Sequence, residues 1–453
     1  MNWFQPALDR LDALPRDPDR RLQTFFSSSQ PVYIARAPGR LDVMGGIADY
    51  SGARVLELPL ACSTSALVQP QSARHCDIAT RRGESWDVFS IELPLGEPVQ
   101  LAAWFRENAA DRWASYVVGV VQALGARSTA AGGGGLRILV DSTVPEGRGV
   151  ASSAALEVAV ATAVAASSGV EISAPELAAL CQRVENEVVG APCGIMDQMT
   201  SACGKKGKLL QLRCQPGTIE GHVDVPTGYR FYGIDSGISH AVSGADYGTV
   251  RTAAFMGLRI ITTETPWRGE YLANLAPAEF ARFSKSLPEE MTGAEFLERY
   301  DDIADTATRV IPERRYPVRQ ATRHPVGEQD RVDRFATVLA ALPDDPALAN
   351  ELGELMYASH ESYSACGLGS EGTDRLVELV RTAGPERGLF GAKITGGGSG
   401  GTVAVLGTID AEGVIRDLAA RYAAETGRAG SVFTGSGPGA AETGVTRTGA
   451  RRV

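Results

Sequence analysis

The segment Pro145-Glu146-Gly147-Arg148-Gly149-Val150-Ala151-Ser152-Ser153-Ala154-Ala155 runs straight into the apolar stretch 156–160, so a glycine-punctuated loop opens onto a helix. Such a junction suits a phosphate. Gly147 and Gly149 let the backbone pass close to an anion, and the first helical N–H groups point outward with the dipole behind them. Ser152 and Ser153 add hydroxyls for a phosphate oxygen or for Mg²⁺. The Gly-Lys-Ser/Thr ending of the Walker loop is absent, which excludes that class of nucleotide site. Taken alone, the segment reads equally well as a tight turn with an N-cap serine. A second glycine loop, Thr395-Gly396-Gly397-Gly398-Ser399-Gly400-Gly401, has the composition of a linker, but it joins two β-like segments, 392–394 and 402–406. There a glycine run permits close approach to a ligand and builds an anion nest. In Pro192-Cys193-Gly194-Ile195-Met196-Asp197-Gln198 one carboxylate stands among apolar neighbours after a Pro/Gly turn, the setting of a candidate base. Glu185 lies twelve residues earlier, either a carboxylate for Mg²⁺ or part of a solvated helix face beside Arg183 and Glu187. Arg40, after Ala37-Pro38-Gly39, reads as a turn residue, and Asp49-Tyr50-Ser51-Gly52 as an ordinary turn.

These residues need elements to hold them. A strand at 136–140 leads into the phosphate loop, an aromatic-rich helix is expected over 104–124, and a second helix over 174–189 has apolar residues three or four apart. Residues 32–67 read as two short extended stretches around a turn-rich middle, and 69–100 as a polar segment. Further helices are expected around 248–260, 292–310, 330–342, 346–362 and 370–383. Short strands and turns over 209–230 mark a boundary, giving an α/β chain of two lobes, 1–222 and 223–453. Residues 263–330 read as surface structure.

A chain of 453 residues exceeds what one core organises, and 44% hydrophobic with 22% charged residues is an ordinary globular composition. A net charge of −10 without basic runs argues against nucleic-acid or anionic-membrane binding, so a polyphosphate must be held by a local site. Seven cysteines without a C-x₂-C pair make a poor disulfide framework. Asp9 and Asp12 interrupt the place of a secretory signal, so a cytoplasmic location is expected, with a small molecule as ligand and no protein partner indicated.

Four segments together carry a resemblance. Residues 35–40, 144–157, 192–198 and 395–401 resemble, in order, the successive motifs of the GHMP small-molecule kinases, and their wording is closest to the galactokinase branch. Residues 40–50 and Ile234-Asp235-Ser236-Gly237-Ile238-Ser239-His240 resemble the branch's L-arabinose-acting type. The resemblance implies a two-lobed fold, its N-terminal lobe like ribosomal protein S5 domain 2 and its C-terminal lobe ferredoxin-like. It implies ATP and Mg²⁺ as cofactors and a sugar as substrate. By the same resemblance Gly147, Arg148, Gly149, Ala151, Ser152, Ser153 and Ala154 wrap the ATP phosphates, joined by Gly397 and Gly398. Ser153 and Glu185 would meet the Mg²⁺, and Trp113 would pack on adenine or, equally, in the core. Asp197 and Arg40 would be catalytic, and Asp49, Gly46, Ile47, Gly194 and Tyr247 would meet the sugar. Galactokinases carry Gly-Glu-His-Thr-Asp-Tyr where this chain has Gly45-Gly46-Ile47-Ala48-Asp49-Tyr50. The two positions that reach the C6 hydroxyl there are Gly46 and Ile47 here, while Asp49, the ring-hydroxyl contact, remains. L-Arabinopyranose is D-galactopyranose without its CH₂OH group, so an L-arabinose 1-kinase is expected, with D-galactose phosphorylation or a catalytically silent sugar sensor as alternatives.

Overall fold

Among the described residues the two larger sheets meet in sequence between Asp224 and Tyr229, and a third, two-stranded sheet pairs Met291–Thr292 with Arg315–Tyr316. The computed structural model describes residues 2–127, 134–239 and 245–449. The tetraglycine at 132–135 lies partly, and His240 wholly, outside the described residues. No helix among the described residues is long and apolar enough to cross a membrane.

The first sheet is built on two long strands, Tyr33–Met44 and Arg54–Gln71, longer than the short stretches expected for 32–67. Against this sheet lies the helix Ser152–Ser168, so rich in alanine and valine that it is apolar almost all round and therefore buried. Its small side chains let the strands come close. Arg40 lies within the first strand rather than in a turn, because the ladder slips between Pro38 and Arg40. Gly39 is needed at that bulge: a Cβ there would stand 2.7 Å from the Val150 carbonyl oxygen, which instead accepts the Arg40 backbone N–H at 3.1 Å.

The second sheet orders Leu389–Ile394, Thr402–Thr408, Tyr229–Asp235 and Val432–Phe433, all antiparallel, with helices packed on it. The glycine loop 395–401 is the turn of the first hairpin. The chain then returns to the first sheet, where Val445–Arg447 pairs with Tyr33–Ala35.

Three local expectations are corrected. The segment 104–124 is not one helix: Pro98–Glu107 ends at Asn108, whose side chain donates to the Trp104 carbonyl, and a 3₁₀ turn precedes Ser115–Gly125. The polar segment 69–100 contains a hairpin, His75–Arg82 with Ser85–Glu92, turning at Gly83 with φ +61°. The helix expected over 292–310 stops at Tyr300, because Asp301 takes φ +69°.

Residues 263–330 are not merely surface. Leu272, Phe280, Phe296 and Tyr316 are buried in one cluster with Ile47, Tyr50 and Tyr247, and so this segment backs the loop that carries Asp49.

Candidate active site

The helix Ser152–Ser168 begins without a side-chain cap. Ala151, the N-cap residue, sits in the left-handed region at φ 58°, ψ 49°, a conformation costly for a residue with a Cβ, and no serine caps the first turn. The first-turn N–H groups thus face the pocket formed by Gly147, Gly149, Ala151, Ser152 and Ser153. Neither serine is the N-cap the tight-turn alternative called for; Ser152 and Ser153 line the pocket. The two glycine loops meet here, since the Arg148 carbonyl accepts the Thr402 hydroxyl at 2.8 Å and a Cβ on Gly149 would lie 3.2 Å from the Thr395 carbonyl. The Arg148 guanidinium turns away to Asp235 at 3.4 Å, which braces the loop 147–149 against the strand Tyr229–Asp235.

Arg40 and Asp197 face each other across the same pocket. Arg40 donates from Nε and Nη2 to the two Asp197 carboxylate oxygens at 2.8 and 3.0 Å, and from Nη1 to the Gly149 carbonyl at 2.6 Å. This bidentate fork fixes the carboxylate plane. Asp197 keeps 21% side-chain exposure while Arg40 has 3%, so the carboxylate is the partner open to the pocket. Burial disfavours the Arg40 charge, but the surrounding carboxylates, Asp197 first, hold its pKa above the ordinary arginine value. Behind it Glu57 is pushed well above the carboxylate range by burial and then by Asp42.

Glu185 is the first residue of a π-helical turn, Glu185–Val189, that extends the helix Ala174–Val184; such turns break the regular spacing of side chains. Its solvated alternative is excluded by its burial at 2% exposure on the pocket wall. Burial lifts Glu185 to about 7, against a hydrogen bond with Ser153, and Gln198 donates to it at 2.7 Å. Burial and then Glu185 push the adjacent Glu157 well above its ordinary value. A hydroxyl beside one carboxylate is an oxygen donor set that fits Mg²⁺. Among the described residues no group of three or more His, Cys, Asp or Glu side chains is arranged to hold a metal ion, so such an ion would take its remaining ligands from phosphate and water.

At the other end of the pocket stand Ile47, Asp49, Gly194 and Tyr247. Asp49 packs so closely on Gly194 that a Cβ there would lie 1.7 Å from its Oδ2. Burial and then the charge of Asp197 raise Asp49 to about 7, while Arg251 and the Tyr50 N–H, 2.6 Å from Oδ1, pull the other way. Arg251 is itself held by a bidentate pair to Asp305, both bonds at 2.8 Å, from the segment read as surface.

Gly397 is on the pocket wall. Gly398 is not on it and turns toward Leu368, while Ala154 is buried within the helix and Gly46 lies behind the wall. Trp113 lines a second pocket, which shares Gly147, Ser152 and Ser153 with the first and adds Arg81, Arg112 and Tyr116. Its ring also packs on Phe89, at 6.4 Å between centroids, so it borders both this pocket and the core.

Residues 115–205 match the GHMP kinases N terminal domain, 346–424 the GHMP kinases C terminal region, and 21–70 the galactokinase galactose-binding signature. A galactokinase of Chloroflexus aggregans (strain MD-66 / DSM 9485) is 30% identical over 89% of this chain and 91% of its own length. The chain belongs to the GHMP kinase family. An L-arabinokinase of Arabidopsis thaliana is 39% identical over 93% of the chain, which spans about half, 47%, of that protein. The solved Lactococcus lactis galactokinase complexed with galactose shares the GHMP kinase fold at TM-score 0.74 and 20% identity, covering 96% of this chain and 98% of that one. L. major mevalonate kinase in complex with R-mevalonate shares it at TM-score 0.54 and 15% identity, covering 90% and 96%.

Several residues of this GHMP kinase that shape the site escaped sequence reading. Cys193 and Met196 line the pocket beside the anticipated Gly194 and Asp197. Lys393 reaches Asp42 at 2.6 Å with both side chains fully buried. Lysine in an otherwise apolar strand, Leu389–Ile394, was the one available signal, since a buried ammonium needs a carboxylate.

Proposed function

We propose that this protein is an ATP-dependent sugar 1-kinase that transfers the γ-phosphoryl group of ATP to the anomeric hydroxyl of L-arabinose, giving L-arabinose 1-phosphate and ADP. One observation carries the reading: the Asp197 carboxylate, fixed by Arg40, shares a pocket with the uncapped, glycine-flanked helix N-terminus. That pairs a proton acceptor with an anion cradle.

In this reading the phosphate loop holds the triphosphate, and the Trp113 pocket takes the base. Ser153 and Glu185 would hold Mg²⁺, which would supply neutralisation of the phosphate charge. A carboxylate is a weak base for a sugar hydroxyl, so Asp197 takes the proton late, as the bond to phosphorus forms. Arg40 and the loop N–H groups stabilise the charge on the transferring group, and positioning does most of the rest.

The sugar end supports a pentose. Ile47 presents an apolar wall and Gly46 no side chain, so a C6 hydroxyl there would be stripped of water without a partner. The relative named L-arabinokinase, at 39% identity, supports the same choice. The test is sugar-dependent ADP release from Mg·ATP, with ³¹P NMR locating the new phosphate on C1. Sugar binding without turnover would replace the reading by that of a sensor.

Asp49 gives the site a pH signature. Its carboxylate accepts ring hydroxyls best when ionised, and its pKa in the free protein is raised to about 7. The sugar KM is therefore expected to fall as pH rises from about 6 to about 8, and Asp49→Asn to bind sugar weakly with that slope gone. Stability runs the opposite way: the share contributed by a raised carboxyl is full below the ordinary value of 3.8 and lost as pH rises through about 7. A KM that is flat with pH would remove Asp49 from the sugar contact.

A further inference from the structure

We propose that Tyr363, a residue behind the pocket wall, determines the sugar preference; the inference rests on the pentose reading above. Tyr363 sits on the helix Leu348–Ala365 and is fully buried. Its hydroxyl stands 1.5 Å from the point where a Cβ on Gly46 would lie, so no side chain of any kind fits at position 46 while Tyr363 is present. Gly46 also takes φ +37°, which by itself disfavours a side chain.

The same hydroxyl ties two walls of the pocket together. It accepts the Ile47 backbone N–H at 2.8 Å and donates its one proton to the Gly396 carbonyl at 3.1 Å; the Asp42 carboxylate at 3.4 Å is the weaker acceptor. The ring cannot drift, since His324 packs edge-to-face at 5.1 Å between centroids and the Lys393 ammonium lies 5.1 Å from the ring centroid. Tyr363 thus does two things to the sugar end. It bars any side chain, polar or apolar, from position 46, and it holds the Ile47 backbone so that the Ile47 side chain, 1% exposed, closes the wall. Discrimination against a hydroxymethyl group is set by a residue that touches no sugar atom, a positioning residue 316 residues from Ile47 in the chain.

The test compares kcat and KM for L-arabinose and D-galactose in the unmodified protein, Tyr363→Phe and Ile47→Ala. Phenylalanine keeps the ring and removes only the hydroxyl. The expected result is a fall of about 10-fold or more in the L-arabinose over D-galactose ratio of kcat/KM, carried by the sugar KM. An equal loss for both sugars, leaving the ratio where it was, would mean a merely structural role and overturn the proposal. Should Tyr363→Phe fail to fold, Ile47→Ala decides, because an unchanged ratio there removes the wall that Tyr363 is said to hold. Absence of any L-arabinose preference in the unmodified protein would instead overturn the pentose reading.

Discussion

Replacing Asp197 by asparagine is expected to lower kcat by about 10²–10⁴-fold, the span that general acid–base groups contribute, with sugar and nucleotide affinities changed only a few-fold. The amide preserves shape and can still accept from Arg40, so the bidentate lock at 2.8 and 3.0 Å is weakened rather than abolished. What is lost is the acceptor for the proton of the attacking hydroxyl. Isothermal titration with sugar and with Mg·ATP, beside single-turnover rates, separates these effects. A variant that keeps more than a tenth of the parent kcat would assign the proton to another group and leave Asp197 a binding role.

The largest stability effect is expected at Lys393. Its ammonium and the Asp42 carboxylate are both fully buried, 2.6 Å apart, and they join the second sheet to the strand that carries Arg40. Lys393→Met leaves Asp42 with the Gly46 N–H, the distant Tyr363 hydroxyl and the nearby Arg40 charge as partial compensation. Breaking a buried pair from one side costs about 3–5 kcal/mol. The double variant Asp42→Asn/Lys393→Met is expected to recover part of that loss, because no lone charge then remains inside. Urea denaturation of the four proteins in the cycle measures this. Equal stability of the single variant and its parent would show that water reaches the pair.

The parts of this site that sequence made legible are those whose chemistry is local. A glycine loop opening a helix, a carboxylate after a Pro/Gly turn and a glycine run between strands each carry their own geometry, and all three come together in one pocket. Arg40 was recognisable as a residue but misplaced in a turn, because the slip of the ladder at Gly39 depends on the Val150 carbonyl far along the chain. The charges behind the pocket were illegible for the same reason. Asp42 and Lys393 are 351 residues apart, and Ile47 and Tyr363 are 316 apart, so no spacing rule links them. The hairpin within 69–100 hid behind polar composition although Cys76 and Ile78 alternate with polar neighbours. The segment 263–330 misled because its buried apolar residues come in short groups separated by charged stretches, with no long run to mark an interior.

The central claim, a pocket that transfers phosphate to a pentose and rejects the corresponding hexose, is tested most directly by kcat/KM for L-arabinose and D-galactose at matched Mg·ATP. The account predicts a preference for L-arabinose of about 10–200-fold, the range that one added group in an apolar pocket commands. Equal values, or a preference for D-galactose, would contradict it.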